Sequence, residues 1–231
     1  MDIQHSTEVL QKVREKTKRV NLFFSCGKDS LCLLDLCSKH FDHVNLVFMY
    51  FVKDLEHINK YLRLAEAKYK NVTVIQVPHW TLTHTLRNGV YCDAQPKIKL
   101  LKLADIDEAV RLKTGVNWSV FGMKKSDSLN RNLMLKTYDM EAVNWAQGKV
   151  YPLSHWKDRD VLRYIRDKGM PAPINYEGKK KSNGVGFDLT VFLWLRTNYP
   201  EDLAKILKTF PMASRILFEH DYKEKNKSKL S

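Results

Sequence analysis

The sequence has few cysteines. Four are present in 231 residues, and no two of them are separated by the two residues that zinc and iron–sulfur sites commonly use. No disulfide framework is indicated, and no iron–sulfur cluster is expected. Cys32 and Cys37 fall in a predicted helix, where packing is the usual role of a free cysteine.

Long apolar runs are missing as well, because none approaches the roughly 20 residues of a membrane-spanning helix. The start of the chain, Met1–His5, lacks the basic and then apolar segments of a secretory signal. We therefore expect a cytoplasmic protein with no membrane partner. Hydrophobic residues still make up 44% of the chain and aromatic residues 11%, which is enough for a packed core.

Acidic residues are outnumbered: 39 lysines and arginines stand against 26 aspartates and glutamates, a net charge of +13. A basic excess attracts anions, so it suits a nucleotide polyphosphate, a nucleic acid or both as partners. Part of the excess lies in a lysine-rich tail at residues 223–229, which is more often only a solvated end.

Short apolar runs alternate with helical patterns along the chain. They predict strands at residues 20–25, 43–51, 72–77 and 118–123. Helices are predicted at residues 1–18, 29–40, 55–69, 81–91, 97–113, 158–168, 188–198 and 201–219. Residues 124–138 are polar and are predicted as a loop, and residues 141–152 as a strand or hairpin.

This order predicts an α/β fold, in which helical crossovers join parallel strands. We expect a twisted parallel sheet with helices on both faces, plus a helical C-terminal region. Residues 1–176 should form the α/β domain. Residues 177–231, a basic loop followed by helices, should form an extension packed on it.

The loop Ser25–Ser30 breaks a buried strand with small and polar residues and leads directly into a helix. Parallel sheets bind ligands at the carboxyl ends of their strands. Backbone N–H groups and the helix dipole can hold an anion there. Gly27 allows close approach, Lys28 adds a charge, and two serine hydroxyls can donate. The loop predicts an anion cradle, with an ordinary strand-to-helix turn as the alternative.

The same loop resembles the S-G-G-x-D-S motif of the ATP pyrophosphatase (PP-loop) superfamily, which includes the phosphoadenylyl-sulfate (PAPS) reductases. Cys26 stands in place of the first glycine. A second segment, residues 122–131, resembles the G-x-R-x-x-[ED]-S-x-x-R stretch of PAPS reductase-like proteins. Three of its positions match directly: Gly122, Ser128 and Arg131. Lys124 replaces an arginine and Asp127 a glutamate. A solvated basic loop is the alternative reading of this segment.

A third segment, residues 152–165, resembles the P-L-x-x-W-x-x-x-D-V-x-x-Y-I motif of the family, and Gly169–Pro171 resembles its G-[IM]-P. Trp156 precedes a predicted helix, and packing is its expected role. With three motifs in the family's order, the chain is identified as a member of the PAPS reductase-like group of PP-loop proteins.

The resemblance implies cleavage of ATP between the α and β phosphates, adenylylation of a second substrate and release of pyrophosphate. The implied catalytic residues are Lys28, Asp29, Lys124 and Arg131. The implied nucleotide-binding residues are Ser25, Cys26, Gly27, Lys28, Asp29, Ser30, Tyr50, Gly122, Lys125, Ser128 and Arg131. Asp29 would bind Mg²⁺, or else only complement the helix dipole. Tyr50, at the end of the second strand, would lie near the adenine, or else belong to the sheet core.

The chain departs from the reductases at the thiol. Thioredoxin-dependent members attack the sulfonucleotide with a cysteine in a C-terminal E-C-G-L-H motif, and this chain has no cysteine after Cys92. Adenylyl transfer is therefore favoured. One alternative is reduction of PAPS or adenylyl sulfate through Cys92 or through Cys26, whose pKa should fall at a helix N-terminus. The other is nucleotide binding without catalysis. The second substrate stays open, as do nucleic acid and a second copy of the chain as partners.

Overall fold

The computed structural model describes residues 2–171 and 187–227. Within these residues, the helices are α1 (Ile3–Arg14), α2 (Lys28–His40), α3 (Glu56–Lys68), α4 (Trp80–Arg87), α5 (Leu103–Thr114), α6 (Leu129–Lys136), α7 (Asp158–Asp167), α8 (Leu189–Asn198), α9 (Pro200–Thr209) and α10 (Ser214–Lys227). The strands are β1 (Arg19–Phe24), β2 (His43–Tyr50), β3 (Val72–Pro78), β4 (Ser119–Val120), β5 (Val143–Asn144) and β6 (Lys149–Val150). Short 3-10 helices occupy Lys125–Asp127 and Pro211–Ala213.

The chain divides into two compact units. The first is built from Met1–Met49, Tyr61–Val77 and Ala104–Ile174, and the second from Tyr50–Lys60, Pro78–Leu103 and Asn175–Ser231. The boundary predicted at residue 176 and the basic loop predicted after it lie outside the described residues. None of the described helices is long and apolar enough to cross a bilayer.

The six strands form one sheet in the order β3-β2-β1-β4-β6-β5. β1 pairs in parallel with β2 and with β4, β4 pairs in parallel with β6, and β5 is antiparallel to β6. From β1 the chain first moves to β2 and later returns to the other side of β1 at β4. Because crossovers are right-handed, α2 and α5 lie on opposite faces of the sheet. The predicted fold class, a mostly parallel sheet with helices and a helical C-terminal region, is confirmed.

The centre of the sheet is mostly apolar and contains a buried pair of asparagines. β1 and β2 are buried along most of their length, as expected for central parallel strands. Asn21 and Asn45 lie side by side in register within this core. Asn45 Nδ2 donates to Asn21 Oδ1 at 2.9 Å, and Asn21 Nδ2 donates to the carbonyl oxygen of Val116 at 2.8 Å. These bonds offset the cost of burying two amides.

Trp156 has the packing role that the sequence predicts. Its side chain is 1% exposed. The indole Nε1 donates to Ser6 Oγ at 2.9 Å and to the carbonyl oxygen of Asp2 at 3.1 Å. It therefore joins the start of α1 to the segment that leads into α7. On α7 itself, the Tyr164 hydroxyl donates to Asp35 on α2 at 2.6 Å, which fixes α7 against α2.

The loop predicted for residues 124–138 is wrong, because the segment contains a 3-10 helix and α6. Ser128 caps α6: its Oγ accepts a hydrogen bond from the Arg131 N–H at 3.2 Å. Leu129 and Leu133 are 71% and 56% exposed. The helix thus has no buried apolar stripe that a periodicity argument could detect.

Several predicted boundaries differ from the structure, whereas a predicted hairpin agrees with it. The single helix predicted for residues 201–219 is two helices, since α9 ends at Thr209 and Pro211 begins a 3-10 turn before α10. The strand predicted for residues 118–123 is only Ser119–Val120. The hairpin predicted for residues 141–152 is present as β5 and β6.

In the second unit, Asp202 on α9 caps the first turn of α3. Its carboxylate accepts hydrogen bonds from the backbone N–H groups of Glu56 and His57 at 2.8 and 2.9 Å. The His57 ring Nδ1 lies 2.7 Å from the same carboxylate, and both side chains are 1% exposed. The pair holds α9 to the start of α3.

Candidate functional site

Two segments of the first unit meet at the carboxyl edge of the sheet. The loop after β1 leads into α2, and the segment after β4 begins at Phe121. Because β1 and β4 are neighbouring parallel strands, both segments leave the sheet at the same edge, where the strand order reverses. A Cβ added to Gly122 would lie 3.3 Å from the Cβ of Asp29, tighter than an ordinary contact. Glycine at position 122 therefore allows the two segments to approach this closely.

Ser30 fixes the shape of the first loop. Its buried hydroxyl donates to the carbonyl oxygen of Gly27 at 2.9 Å and accepts from the Ser25 N–H at 3.2 Å. Cys26 has φ 58, in the left-handed region, at the position where the family motif has its first glycine. Gly27 has φ −85 and ψ 167, which other residues adopt freely. The conformation that favours glycine thus falls on Cys26, at a cost of about 1–2 kcal/mol.

Six charged side chains come together beside this loop; we call them the charge cluster: Lys28, Lys124, Arg131, Asp29, Asp127 and Asp158. Lys124 lies at the centre. Its Nζ is 2.6 Å from Oδ1 of Asp29, 3.0 Å from Oδ1 of Asp127 and 3.4 Å from Oδ1 of Asp158. Its side chain is 2% exposed. A lysine this buried needs such partners, because an isolated charge would be strongly destabilising.

The other two cations of the cluster bind the same carboxylates. Lys28 Nζ lies 2.9 Å from Oδ2 of Asp29 and 3.4 Å from Oδ1 of Asp158. Arg131 Nη1 lies 2.7 Å from Oδ2 of Asp127. The structure thus brings together four predicted site residues, Lys28, Asp29, Lys124 and Arg131. It also balances their three positive charges with three carboxylates.

The pairing shifts two pKa values in the directions that keep both groups charged. Burial alone would lower the pKa of Lys124, but Asp29 and Asp127 raise it above its usual value. Burial alone would raise the pKa of Asp127, but the backbone N–H and ammonium of Lys124 and the charge of Arg131 lower it. The pairing therefore favours the ionised forms of both Lys124 and Asp127.

Other predicted site residues have different surroundings. Lys125 bonds to Glu141, which also accepts from the His155 ring, so its ammonium group belongs to a second group of charges. The Ser128 hydroxyl is used as the cap of α6. Ser25 is exposed. Tyr50 is the last residue of β2 and is half-buried.

The expected activation of Cys26 is wrong. Its side chain is fully buried, and burial raises the pKa of the thiol instead of lowering it. Burial and nearby carboxylates also raise the pKa of Cys32, to about 12. Burial raises the pKa of Cys37, and burial with the charge of Asp93 raises that of Cys92. All four thiols are therefore protonated at neutral pH in this structure.

The residues around Asp29 do not fit the Mg²⁺ ion that was expected there. Oδ1 of Asp29 accepts from Lys124 and Oδ2 accepts from Lys28, at 2.6 and 2.9 Å. Ammonium groups thus take the positions that a metal ion would need on both carboxylate oxygens. Within the described ranges, the grouping of metal-ligating side chains lies elsewhere and does not include Asp29.

Sequence reasoning missed the most exposed carboxylate of the charge cluster. Asp158 is the first residue of α7, its side chain is 60% exposed, and it faces both Lys28 and Lys124. The available signal was its position in the third motif, two residues after Trp156. The sequence predicts a packing role for Trp156, which is correct, but it does not predict that Asp158 belongs to the charge cluster.

The fold and the cluster together define a class of protein. It is a parallel α/β protein with a small-residue loop, a helix N-terminus and three cations at the switch point of its sheet. Folds of this kind bind phosphate-bearing ligands at that position.

The comparisons with known proteins specify the class further. Residues 19–179 match the phosphoadenosine phosphosulfate reductase domain, and the chain belongs to that family, which is part of the PP-loop ATP pyrophosphatase superfamily. The family is enzymatic and binds adenine nucleotides. No curated protein matches the chain. A solved structure that matches is PAPS reductase from Candida auris in a phosphate complex, with 17% identity, coverage of 73% of this chain and 81% of that chain, and a TM-score of 0.49.

Proposed function

We propose that the charge cluster binds the phosphates of ATP and that the protein transfers the adenylyl group to a second substrate. The observation that carries this proposal is the meeting of Lys28, Lys124 and Arg131 at the carboxyl ends of β1 and β4. The loop after β1 adds backbone N–H groups at the N-terminus of α2. Cations and backbone donors together are what a polyphosphate requires.

A phosphate group must first exchange with a carboxylate of the cluster. Removing one partner from a buried pair such as Lys124–Asp29 costs about 3–5 kcal/mol. The pairs that Asp158 makes are longer, at 3.4 Å, and its side chain is 60% exposed. Pairs of that kind are worth about 0–1 kcal/mol. The nucleotide therefore displaces Asp158, while Asp29 and Asp127 keep the lysine and the arginine in place.

The chemistry follows from that arrangement. A nucleophilic oxygen of the second substrate attacks the α phosphorus, the bond to the bridging oxygen breaks, and its electron pair leaves with pyrophosphate. Negative charge builds up on the pyrophosphate, next to Lys28 and Lys124. Arg131 can hold one phosphate with two parallel hydrogen bonds. The contribution of the protein is electrostatic, since fixed cations stabilise the charge that develops.

Two other functions of the same site give different results in the same assays. Reduction of PAPS needs a nucleophilic thiol, and the raised pKa of Cys26 and of Cys92 counts against it. Nucleotide binding without catalysis is favoured by one observation: Asp29, the candidate metal ligand, is held by two ammonium groups. Pyrophosphate release from ATP separates adenylyl transfer from both alternatives.

Calorimetric titration with ATP, adenylyl sulfate and PAPS tests the site. Lys28→Ala and Arg131→Ala should each weaken binding by about 1–3 kcal/mol, or about 5- to 150-fold, because a charge-assisted bond to phosphate is lost. Arg166→Ala is the matched control, since Arg166 lies on α7 with a side chain 77% exposed. Equal affinity in all three variants and the wild type would refute the site.

The reaction is then tested by measuring pyrophosphate from ATP and sulfite from PAPS with thioredoxin. We expect pyrophosphate in the wild type and its loss in Lys28→Ala. Sulfite release that disappears in Cys26→Ser would support reduction instead. Tight binding of ATP with neither product would support the non-catalytic function.

A further inference from the structure

A second polar cluster of the first unit lies outside the charge cluster; we call it the histidine cluster: Asp2, His5, Glu141 and His155. The rings of His5 and His155 stack with centroids 3.8 Å apart and planes at 13°. Asp2, His5 and His155 each offer one metal-ligating atom, and these atoms lie within 4.8 Å of one another. Glu141 lies on the far side of the His155 ring.

His5 carries an unsatisfied nitrogen. Its Nε2 lies 2.8 Å from the carbonyl oxygen of Met140. A carbonyl can only accept, so Nε2 carries the proton and Nδ1 is left with a lone pair. That Nδ1 is buried and has no hydrogen-bond partner. An unpaired buried acceptor is unfavourable, and a bound cation would remove the penalty.

His155 has the matching arrangement. Its Nε2 lies 2.7 Å from Glu141, and its Nδ1 lies 3.2 Å from Oδ2 of Asp2. When Nε2–H donates to Glu141, Nδ1 presents a lone pair beside the Asp2 carboxylate. Histidines that bind metal ions commonly donate their second nitrogen to a carboxylate or a backbone carbonyl. Both histidines here meet that condition, one with Met140 and one with Glu141.

We propose that Asp2, His5 and His155 bind a divalent transition-metal ion of the zinc class. Two imidazole nitrogens and one carboxylate oxygen suit this ion, with water completing the coordination. Ligand atoms at tetrahedral zinc are about 3.4 Å apart. The Asp2 and His155 atoms already lie 3.2 Å apart, and no other pair of the three exceeds 4.8 Å, so binding requires only small shifts. The lone pairs of two parallel rings point in the same direction and do not meet at one point. The rings must therefore also tilt so that both nitrogens can bind the same ion. The ion joins the start of α1 to the segment before α7.

Metal binding by the untagged full chain, dialysed against a chelator, tests this proposal. We expect calorimetric titration with zinc chloride to give one ion per chain and a higher melting temperature. Cobalt chloride should give the visible absorption of a low-coordinate nitrogen and oxygen site. Absence of stoichiometric binding of either ion to the folded wild type overturns the proposal.

Variants locate the ion. His5→Gln and His155→Gln should each lower zinc affinity by 10- to 100-fold or more, because loss of a second-shell partner alone has that effect. Glu141→Gln should lower zinc affinity by about 10-fold, because glutamine holds the His155 ring in place more weakly than glutamate does. His43→Gln, at the start of β2, is the matched control and should bind zinc as the wild type does. Unchanged affinity in both cluster variants overturns the proposal. If a variant fails to fold, the cobalt spectrum of the wild type decides.

Discussion

Asp158→Asn should tighten nucleotide binding, because it removes the carboxylate that phosphate displaces. Oδ1 of Asp158 lies 3.4 Å from the Nζ atoms of both Lys28 and Lys124. At that distance, a unit charge pair is worth about 1 kcal/mol in water and about 5 kcal/mol at an effective dielectric of 20. The lower value applies here, because the Asp158 side chain is 60% exposed and such pairs are measured at about 0.2–1 kcal/mol. The two pairs together are then worth about 0.4–2 kcal/mol, so the expected gain is about 2- to 30-fold in affinity for ATP.

Calorimetric titration of ATP at low ionic strength measures the change. Asp167→Asn is the control, since it makes the same change in charge at the other end of α7, on a side chain 48% exposed. Asp158→Asn should also have a slightly lower melting temperature than the wild type, because a carboxylate in the first turn of a helix stabilises the fold by about 0.3–1 kcal/mol. The variant should therefore bind better while folding less stably. Weaker binding than in Asp167→Asn would refute the exchange, since Asp158 would then be a ligand of the nucleotide.

The remaining predictions concern stability. Lys124→Met should lower the free energy of unfolding by about 1–3 kcal/mol in urea titrations, because Asp29 and Asp127 lose the ammonium group that they share and keep only Lys28 and Arg131; a loss well below about 1 kcal/mol contradicts the central role of Lys124. Cys26→Gly should have a higher free energy of unfolding than Cys26→Ala, since Cys26 has φ 58, where glycine is favoured. At Cys37, inside α2, the alanine variant should instead be more stable than the glycine variant by about 1 kcal/mol. If glycine and alanine rank in the same order at both positions, the backbone of Cys26 is not strained. The pKa of Asp127 is held below 3.8 in the folded state. The stability that its carboxylate contributes is therefore complete above about pH 5 and is lost as the pH falls through the pKa of the folded state. Asp127→Asn should therefore lose less stability than the wild type between pH 7 and pH 3.5, and an equal loss contradicts this.

The central strands could be predicted from sequence because their signal is local. β1 to β3 are short apolar runs that end at turn residues, and each begins or ends within a residue of its predicted bounds. α6 could not be predicted in this way, because its stability depends on the Ser128 cap, and Leu129 and Leu133 face solvent. A helix that buries little apolar surface leaves little pattern in the sequence.

The sequence predicts where the cations of the charge cluster lie, but it does not predict that carboxylates neutralise them. A six-residue motif placed Lys28 and Asp29 at the end of the first strand, and the second motif supplied Lys124 and Arg131. The sequence could not indicate that Lys124 is almost wholly buried, because its partner Asp29 lies 95 positions away in the chain. Ion pairs of that separation depend on the tertiary fold, and a count of basic residues cannot reveal them.

Charge balance at the site changes what the basic composition of the protein means. A patch of unpaired lysines binds anions with strong salt dependence, because each contact releases counterions. In the charge cluster, an incoming phosphate exchanges with Asp158 instead, so fewer counterions are released. Salt should therefore weaken ATP binding less than the net charge of +13 suggests. Asp158→Asn removes the carboxylate that competes for the two lysines and should make the same binding more sensitive to salt. A salt dependence equal in the variant and the wild type would mean that Asp158 does not compete with phosphate for Lys28 and Lys124.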